Sequence, residues 1–257
     1  MKKLTLSILT STCLALAVSA CAAAPQTSSA ETVAKEAPVV LDLKAGEVVQ
    51  FAMFKQAEGD AAKAVRKRYF ETAIPYAESL GDEYLGALTV KQTMIGKYKP
   101  QGIALYAFPN AAAQVEFQAS PDWAEYQKMR REGWDELNIL STTVPKDMKL
   151  VFDPTKDYTL AAGWTRPGTG ADYDRYLDGI EADFDEIGAR FVARFKGISL
   201  QSLDAGQTDP THLTLVEWTD GPNLPGLQSS ESYKANSKYF QGAISRFDFY
   251  WITAAKT

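Results

Sequence analysis

Two residues in this chain combine a reactive side chain with a setting that calls for an explanation. Glu217 stands between Val216 and Trp218 in the apolar run HLTLVEW. Taken out of water, a carboxylate there either has its pKa raised or pairs with an arginine such as Arg194 or Arg166. It then serves as a general base or as an anchor for a small apolar ligand. At a sheet edge the same side chain is simply solvated. His212 opens that run and is the only histidine. One histidine is too few for a zinc site, and no nucleophile elbow accompanies it. A histidine at a strand edge is ordinarily a solvated residue. The catalytic candidates are therefore Glu217 and His212, with no metal ligands. Trp164, Trp218, Tyr250 and Trp251 lie in strand-like runs of the same half. With Arg166 and Arg194 they are candidates to line a pocket for an aromatic or quinone-like molecule; as plain core they need no ligand. Lys128, Arg130 and Arg131 fall on one helical run and read as a solvated face. Gly168-Thr169-Gly170 is a turn without the lysine of a phosphate loop.

Composition narrows the classes. The net charge is −5 over 257 residues, so no basic field is offered to nucleic acid. Lys2 and Lys3 precede an apolar run, Leu4 to Val18, that is short for a membrane span and fits a secretory signal. Val18-Ser19-Ala20-Cys21 closes it and resembles a bacterial lipobox; an ordinary signal-peptidase site ending at Ala20 is the alternative. The lipobox resemblance implies cleavage before Cys21 and diacylation of its thiol. Each buried methylene then contributes about 0.8 kcal/mol of anchoring. Ala22 after the cysteine implies the outer membrane of the cell envelope, facing the periplasm. Once Cys13 leaves with the signal and Cys21 carries lipid, no free thiol remains for disulfides, metal sites or nucleophilic catalysis.

The elements that position the candidates come in two sets. Residues 1–20 read as signal peptide and 21–45 as the lipidated cysteine with a flexible tether rich in Ala, Ser, Thr, Pro and Glu. Residues 46–145 read as strand, helix, strand, strand, helix, strand. Residues 146–157 form a polar connection, and 158–257 repeat the plan. At an offset of 110, Ile103, Leu105 and Phe108 match Leu213, Leu215 and Trp218, and Phe54 matches Trp164. A βαββαβ unit is a ferredoxin-like layer whose helices cover one sheet face only. The strands are apolar on both faces, so the bare face needs a partner, and the second repeat can supply it. The fold expected is α+β, two tandem ferredoxin-like repeats packed sheet to sheet, and a monomer suffices.

This pattern resembles the dimeric α+β barrel superfamily, and within it small bacterial domains of no assigned function. The likeness rests on Phe108-Pro109, Ser120-Pro121-Asp122-Trp123 and Arg130 in the first repeat. In the second it rests on Glu217-Trp218 and Ser230-Glu231-Ser232-Tyr233. The strand glutamate is Ala107 in the first repeat, and Arg130 has Phe240 at its counterpart, so at most one site is functional. Haem-degrading relatives use an Asn, a Trp and a His; no Asn stands on the first strand of either repeat, so no cofactor is expected. The resemblance implies a membrane-anchored envelope module that binds a small apolar molecule or has a structural role. The alternative it implies is a cofactor-independent oxygenase or isomerase with its pocket in the second repeat.

Overall fold

The computed structural model describes residues 37–255. The signal, Cys21 and most of the expected tether lie outside them. A short strand, β1 (Val39–Leu43), comes first. The first repeat follows as β2 (Val48–Gln56), α1 (Asp60–Ser79), β3 (Glu83–Ile95), β4 (Gly102–Phe108), α2 (Ala111–Gln118), α3 (Trp123–Gly133) and β5 (Trp134–Thr143). After β6 (Met148–Phe152), the second repeat runs as β7 (Asp157–Thr165), α4 (Gly170–Ile180), β8 (Ala189–Lys196) and β9 (Ser199–Ser202), then β10 (His212–Trp218), α5 (Leu224–Ser229), α6 (Glu231–Ala243) and β11 (Ile244–Ala254). Two 3-10 turns, Glu181–Asp183 and Asp185–Ile187, follow α4.

Each repeat forms an antiparallel sheet, in the orders β5-β2-β4-β3 and β11-β7-β10-β8. The long strand β3 joins them. It pairs with β4 over Glu83–Thr89 and with β11 over Leu88–Ile95. On the other side only Gly197 and Ile198 separate β8, which pairs with β10, from β9, which pairs with β5. That interrupted strand repeats the role of β3, so the ring closes as a barrel without free edges, which removes the hazard of unpaired strands. The architecture is α+β, two ferredoxin-like sheets facing each other across one core.

Alternation along each strand divides the side chains between barrel and helices. Val49, Phe51 and Met53 meet Leu105, Tyr158, Leu160, Leu213 and Ile252 in one apolar cluster inside the barrel. Full burial of each such side chain contributes about 1.5–3 kcal/mol. On the outer face, Ala52, Phe108 and Ile139 pack beneath α1 and α3, and Val216 and Trp218 beneath α4 and α6.

The register corrects the expected offset in two places. Leu88 pairs with Ile103 and Phe195 with Leu213, so β8 stands 107 residues after β3. Met53 pairs with Ile103 and Ala162 with Leu213, so β7 stands 109 residues after β2, whereas β10 stands 110 after β4. The extra residue lies in the strand–helix loop: 57–59 in the first repeat, 166–169 in the second. Phe54 therefore corresponds to Gly163, not Trp164. A slip of one residue moves a side chain to the opposite face. Phe54 faces the helices while Trp164 points into the barrel.

The segments expected as tether and polar connection also carry structure. Strand β1 falls within 21–45 and β6 within 146–157, and they pair antiparallel with Leu41 opposite Leu150. These two residues are 109 apart, so each is the counterpart of the other and the pair sits on the pseudo-two-fold axis. Both are fully buried against the barrel core. Among the described residues no helix is long and apolar enough to cross a membrane.

Candidate functional site

The barrel interior is packed, and the ligand-sized space lies outside it. In the first repeat a cavity of about 100 Å³ opens between α1 and the outer face of β2, β4 and β5. A 150 Å³ engineered cavity holds benzene, so a single small ring is the most this space encloses. Phe54 from β2, Phe70 from α1, Phe108 from β4, Phe117 from α2 and Trp134 from β5 supply aromatic walls. Phe70, 48% exposed, stands at the surface beside Trp134, with ring centroids 6.0 Å apart.

Asp82 brings a carboxyl to this wall, and the end of α1 explains how. Gly81 takes φ +87°, a left-handed turn that suits glycine. The Asp82 amide donates to Ala77 O at 3.1 Å and the Gly81 amide to Glu78 O at 2.9 Å. This is a Schellman cap, in which the residue after the glycine folds back on the helix. An apolar residue usually takes that place, but here it is an acid. Its Oδ1 is buried without a hydrogen-bond partner. Burial, aided by Glu78, pushes its carboxyl up to about 7. The negative end of the α1 dipole acts in the same direction. Asp82 therefore changes charge around neutrality, as a general acid or base must.

A guanidinium meets the same cavity. Arg130, in the last turn of α3, is 8% exposed. Its Nε donates to Tyr69 Oη at 2.9 Å and its Nη1 to Gln201 Oε1 at 3.0 Å. Its face lies 5.0 Å from the Trp123 ring. The expectation of a solvated helix face fails for Arg130, because α3 packs on α1 and turns this residue inward; Arg131 stays exposed. Tyr69 and Tyr106 also line the space, and burial raises the Tyr106 phenol well above its usual range. Gln50, 8% exposed, donates to Ser141 Oγ at 3.1 Å.

The second repeat has a space in the equivalent place, of about 180 Å³, between the outer face of β7, β10 and β11 and the helices α4 and α6. Its lining is neutral. By strand register Ala189 stands where the first repeat has Asp82 and Val216 where it has Tyr106, and Phe240 takes the place of Arg130. Gly179 replaces Tyr69, where α4 and α6 come so close that a Cβ would collide with Asn236.

The barrel, the helices outside it and the pseudo-two-fold axis make this the dimeric α+β barrel architecture. Neither protein-family models nor curated proteins match the sequence. Among solved structures it is similar to an anthrone oxidase-like protein at 12% identity, over 83% of this chain and 94% of that one, with TM-score 0.49. A putative monooxygenase from Fusobacterium nucleatum matches at 7% identity over 83% and 94%, with TM-score 0.41. A mutant chlorite dismutase from Candidatus Nitrospira defluvii matches at 7% identity over 83% and 93%, with TM-score 0.45.

The residues singled out from the sequence do not converge. Glu217 faces the barrel end, where Arg190 holds it at 3.0 Å and Tyr158 Oη donates to it at 3.2 Å. The expected partners are elsewhere: Arg166 caps α6 through Gln241 O and Gly242 O, and Arg194 pairs with Asp178 and Glu181. Trp164 and Tyr250 point into the barrel core. Trp218 lies under the helices and lines the second cavity, its Nε1 bonded to Thr159 Oγ1. Trp251 is also on the outer face, bonded to Asp157. His212 is buried, not solvated. Its Nδ1 lies 2.9 Å from Thr211 Oγ1, and its Nε2 lies 3.3 Å from Asp174 without hydrogen-bond alignment. Burial lowers its pKa against the pull of Asp174. The Thr211 hydroxyl donates to Gly163 O, so this Asp-His-Thr string holds a turn in place rather than a nucleophile. Asp82 was missed. The one signal for it was an acid directly after a helix-ending glycine, where the cap folds the side chain inward.

Proposed function

We propose that the first-repeat cavity binds a small aromatic molecule carrying an ionisable proton, and that Asp82 takes and returns that proton. One observation carries this reading: a half-buried carboxyl whose Oδ1 has no partner and a buried guanidinium share a ring-walled space that the second repeat keeps neutral. The Asp82 carboxylate accepts a proton from an O–H or activated C–H of the ligand and becomes neutral; the ligand keeps the electron pair. Return of the proton to a second carbon is isomerisation. The deprotonated ligand is also the species that cofactor-independent oxygenation consumes. Exclusion of water by the aromatic walls strengthens every charge interaction made there.

The test is titration calorimetry with phenol as probe, run in buffers of different ionisation enthalpy. Phenol should bind, Ala52→Phe should block it by filling the cavity floor, and proton exchange near pH 7 should vanish in Asp82→Asn. Absence of phenol binding, or binding indifferent to Ala52→Phe, contradicts the reading.

The site belongs, in this proposal, to an envelope lipoprotein anchored through Cys21, with the described body standing off the outer membrane. Cys21→Ser should move the protein from the membrane to the soluble fraction; retention in the membrane refutes the anchor.

A further inference from the structure

Arg130 borders two spaces. On one side is the ring-walled cavity. On the other is a polar groove of about 400 Å³ between α3 and the β9 segment of the second repeat, with Gln127, Arg131 and Gln201 in its wall. Leu137 and Ile139 line both, so cavity and groove adjoin across this side chain.

The charge on Arg130 lacks a counterpart. Among the described residues the buried ionised side chains are Arg130 and Asp248. Asp248 is paired with Arg246 at 2.6 Å. The two hydrogen-bond acceptors of Arg130, Tyr69 Oη and Gln201 Oε1, are both neutral, and no carboxylate lies within ion-pair distance. A guanidinium removed from water without an anion is costly. It is held there by α3, by two aromatic faces and by a residue from the other repeat. The second repeat, which has Phe240 at this place, lacks the arrangement.

We infer that Arg130 is the anchor for an anionic group on the ligand, so that the substrate class is aromatic acids: the ring occupies the cavity and its carboxylate meets the guanidinium at the groove. The fork of Arg fits a planar carboxylate through two parallel hydrogen bonds. The cavity runs along α1 from Tyr69, which touches Arg130, to Ala77 beside the cap that carries Asp82. Eight residues of helix span about 12 Å. Asp82 and Arg130 therefore lie toward opposite ends of the cavity, so a para-substituted acid, with its proton and carboxylate at opposite ends of the ring, is the isomer to test. Gln201 reaches the guanidinium from β9, so both repeats build the site.

This inference rests on the cavity reading above, and the experiment separates the two. Calorimetry on the purified full-length protein compares 4-hydroxybenzoate, its neutral amide 4-hydroxybenzamide, and phenol. In the wild type the acid should bind at least about tenfold tighter than the amide. In Arg130→Gln the preference for the acid over the amide should disappear, set against the tenfold unit of the affinity scale. Equal or weaker binding of the acid in the wild type overturns the anchor, with no need for the variant to fold. If the acid loses to the amide while phenol binds and Ala52→Phe blocks it, the anchor fails and the cavity reading stands. If no probe binds, both fall.

Discussion

Beneath α1 and α3 an acid, a guanidinium and two phenols face a ring-walled space; beneath α4 and α6 the equivalent space is larger and neutral, with Val216 and Phe240 in the matched places. The barrel between them has not diverged in the same way. Its interior stays apolar in both repeats, because residues from each touch the other, as Phe51 and Phe195 do at 6.2 Å. A change inside the barrel must be accommodated by both halves. A change under one pair of helices is felt only within its own repeat. The shared core therefore holds the symmetry while the helix-side linings are free to part.

Asp82→Asn bears on the difference most strongly. Loss of a positioned acid–base group lowers proton transfer by about 10²–10⁴-fold, measurable as ligand hydrogen–deuterium exchange, whereas Ala189→Asn at the matched place should leave it unchanged. Next come the floor positions Ala52 and Ala161, counterparts in β2 and β7 that each line one cavity. Phenylalanine at either costs about 1–3 kcal/mol of stability by overpacking, read from denaturant midpoints. Only Ala52→Phe should also abolish phenol binding. The axis pair makes the opposite prediction, equality: Leu41→Ala and Leu150→Ala should each cost about 2–5 kcal/mol and agree with one another, and a large inequality would break the pseudo-symmetry. The smallest effect is Glu217→Gln. Its partner Arg190 is 65% exposed, and exposed pairs contribute about 0–1 kcal/mol, so calorimetry should find phenol binding intact.

The pH dependence of stability follows from the direction of the Asp82 shift. Its carboxyl holds the proton more tightly in the folded chain, near 7, than at its ordinary value of 3.8. Its stabilising proton is fully present below about 3.8 and is lost as pH rises through 7. Asp82→Asn escapes that loss, so its melting temperature should gain on wild type between those values and keep a constant lead above them. A lead that appears only on acidification has the wrong sign.

The repeated βαββαβ plan was legible because periodicity, glycines and prolines recur in the same places, and the need to cover two apolar faces dictates the paired sheets. The site was less legible, for three physical reasons. An apolar strand does not reveal which of its faces meets the barrel, so Trp164, Tyr250, Trp218 and Trp251 appeared as one set although alternation divides them. The extra residue in the loop before α4 is invisible to class matching, yet it reverses the facing of Trp164 relative to Phe54. Glu217 was conspicuous as a charge in an apolar strand, while Asp82 stands at a turn, where charges are ordinary. Only the cap geometry turns it inward. Arg130 was legible as part of a family pattern, but its burial depends on how α3 lies on α1.

The most direct measurement is the pH titration of the Asp82 side-chain carboxyl by carbon-13 NMR, with Asp82→Asn to assign the signal. The expected midpoint is near 7. A midpoint near the ordinary 3.8 would mean a solvated carboxylate, and the first-repeat cavity would then have no acid–base group to distinguish it from the second.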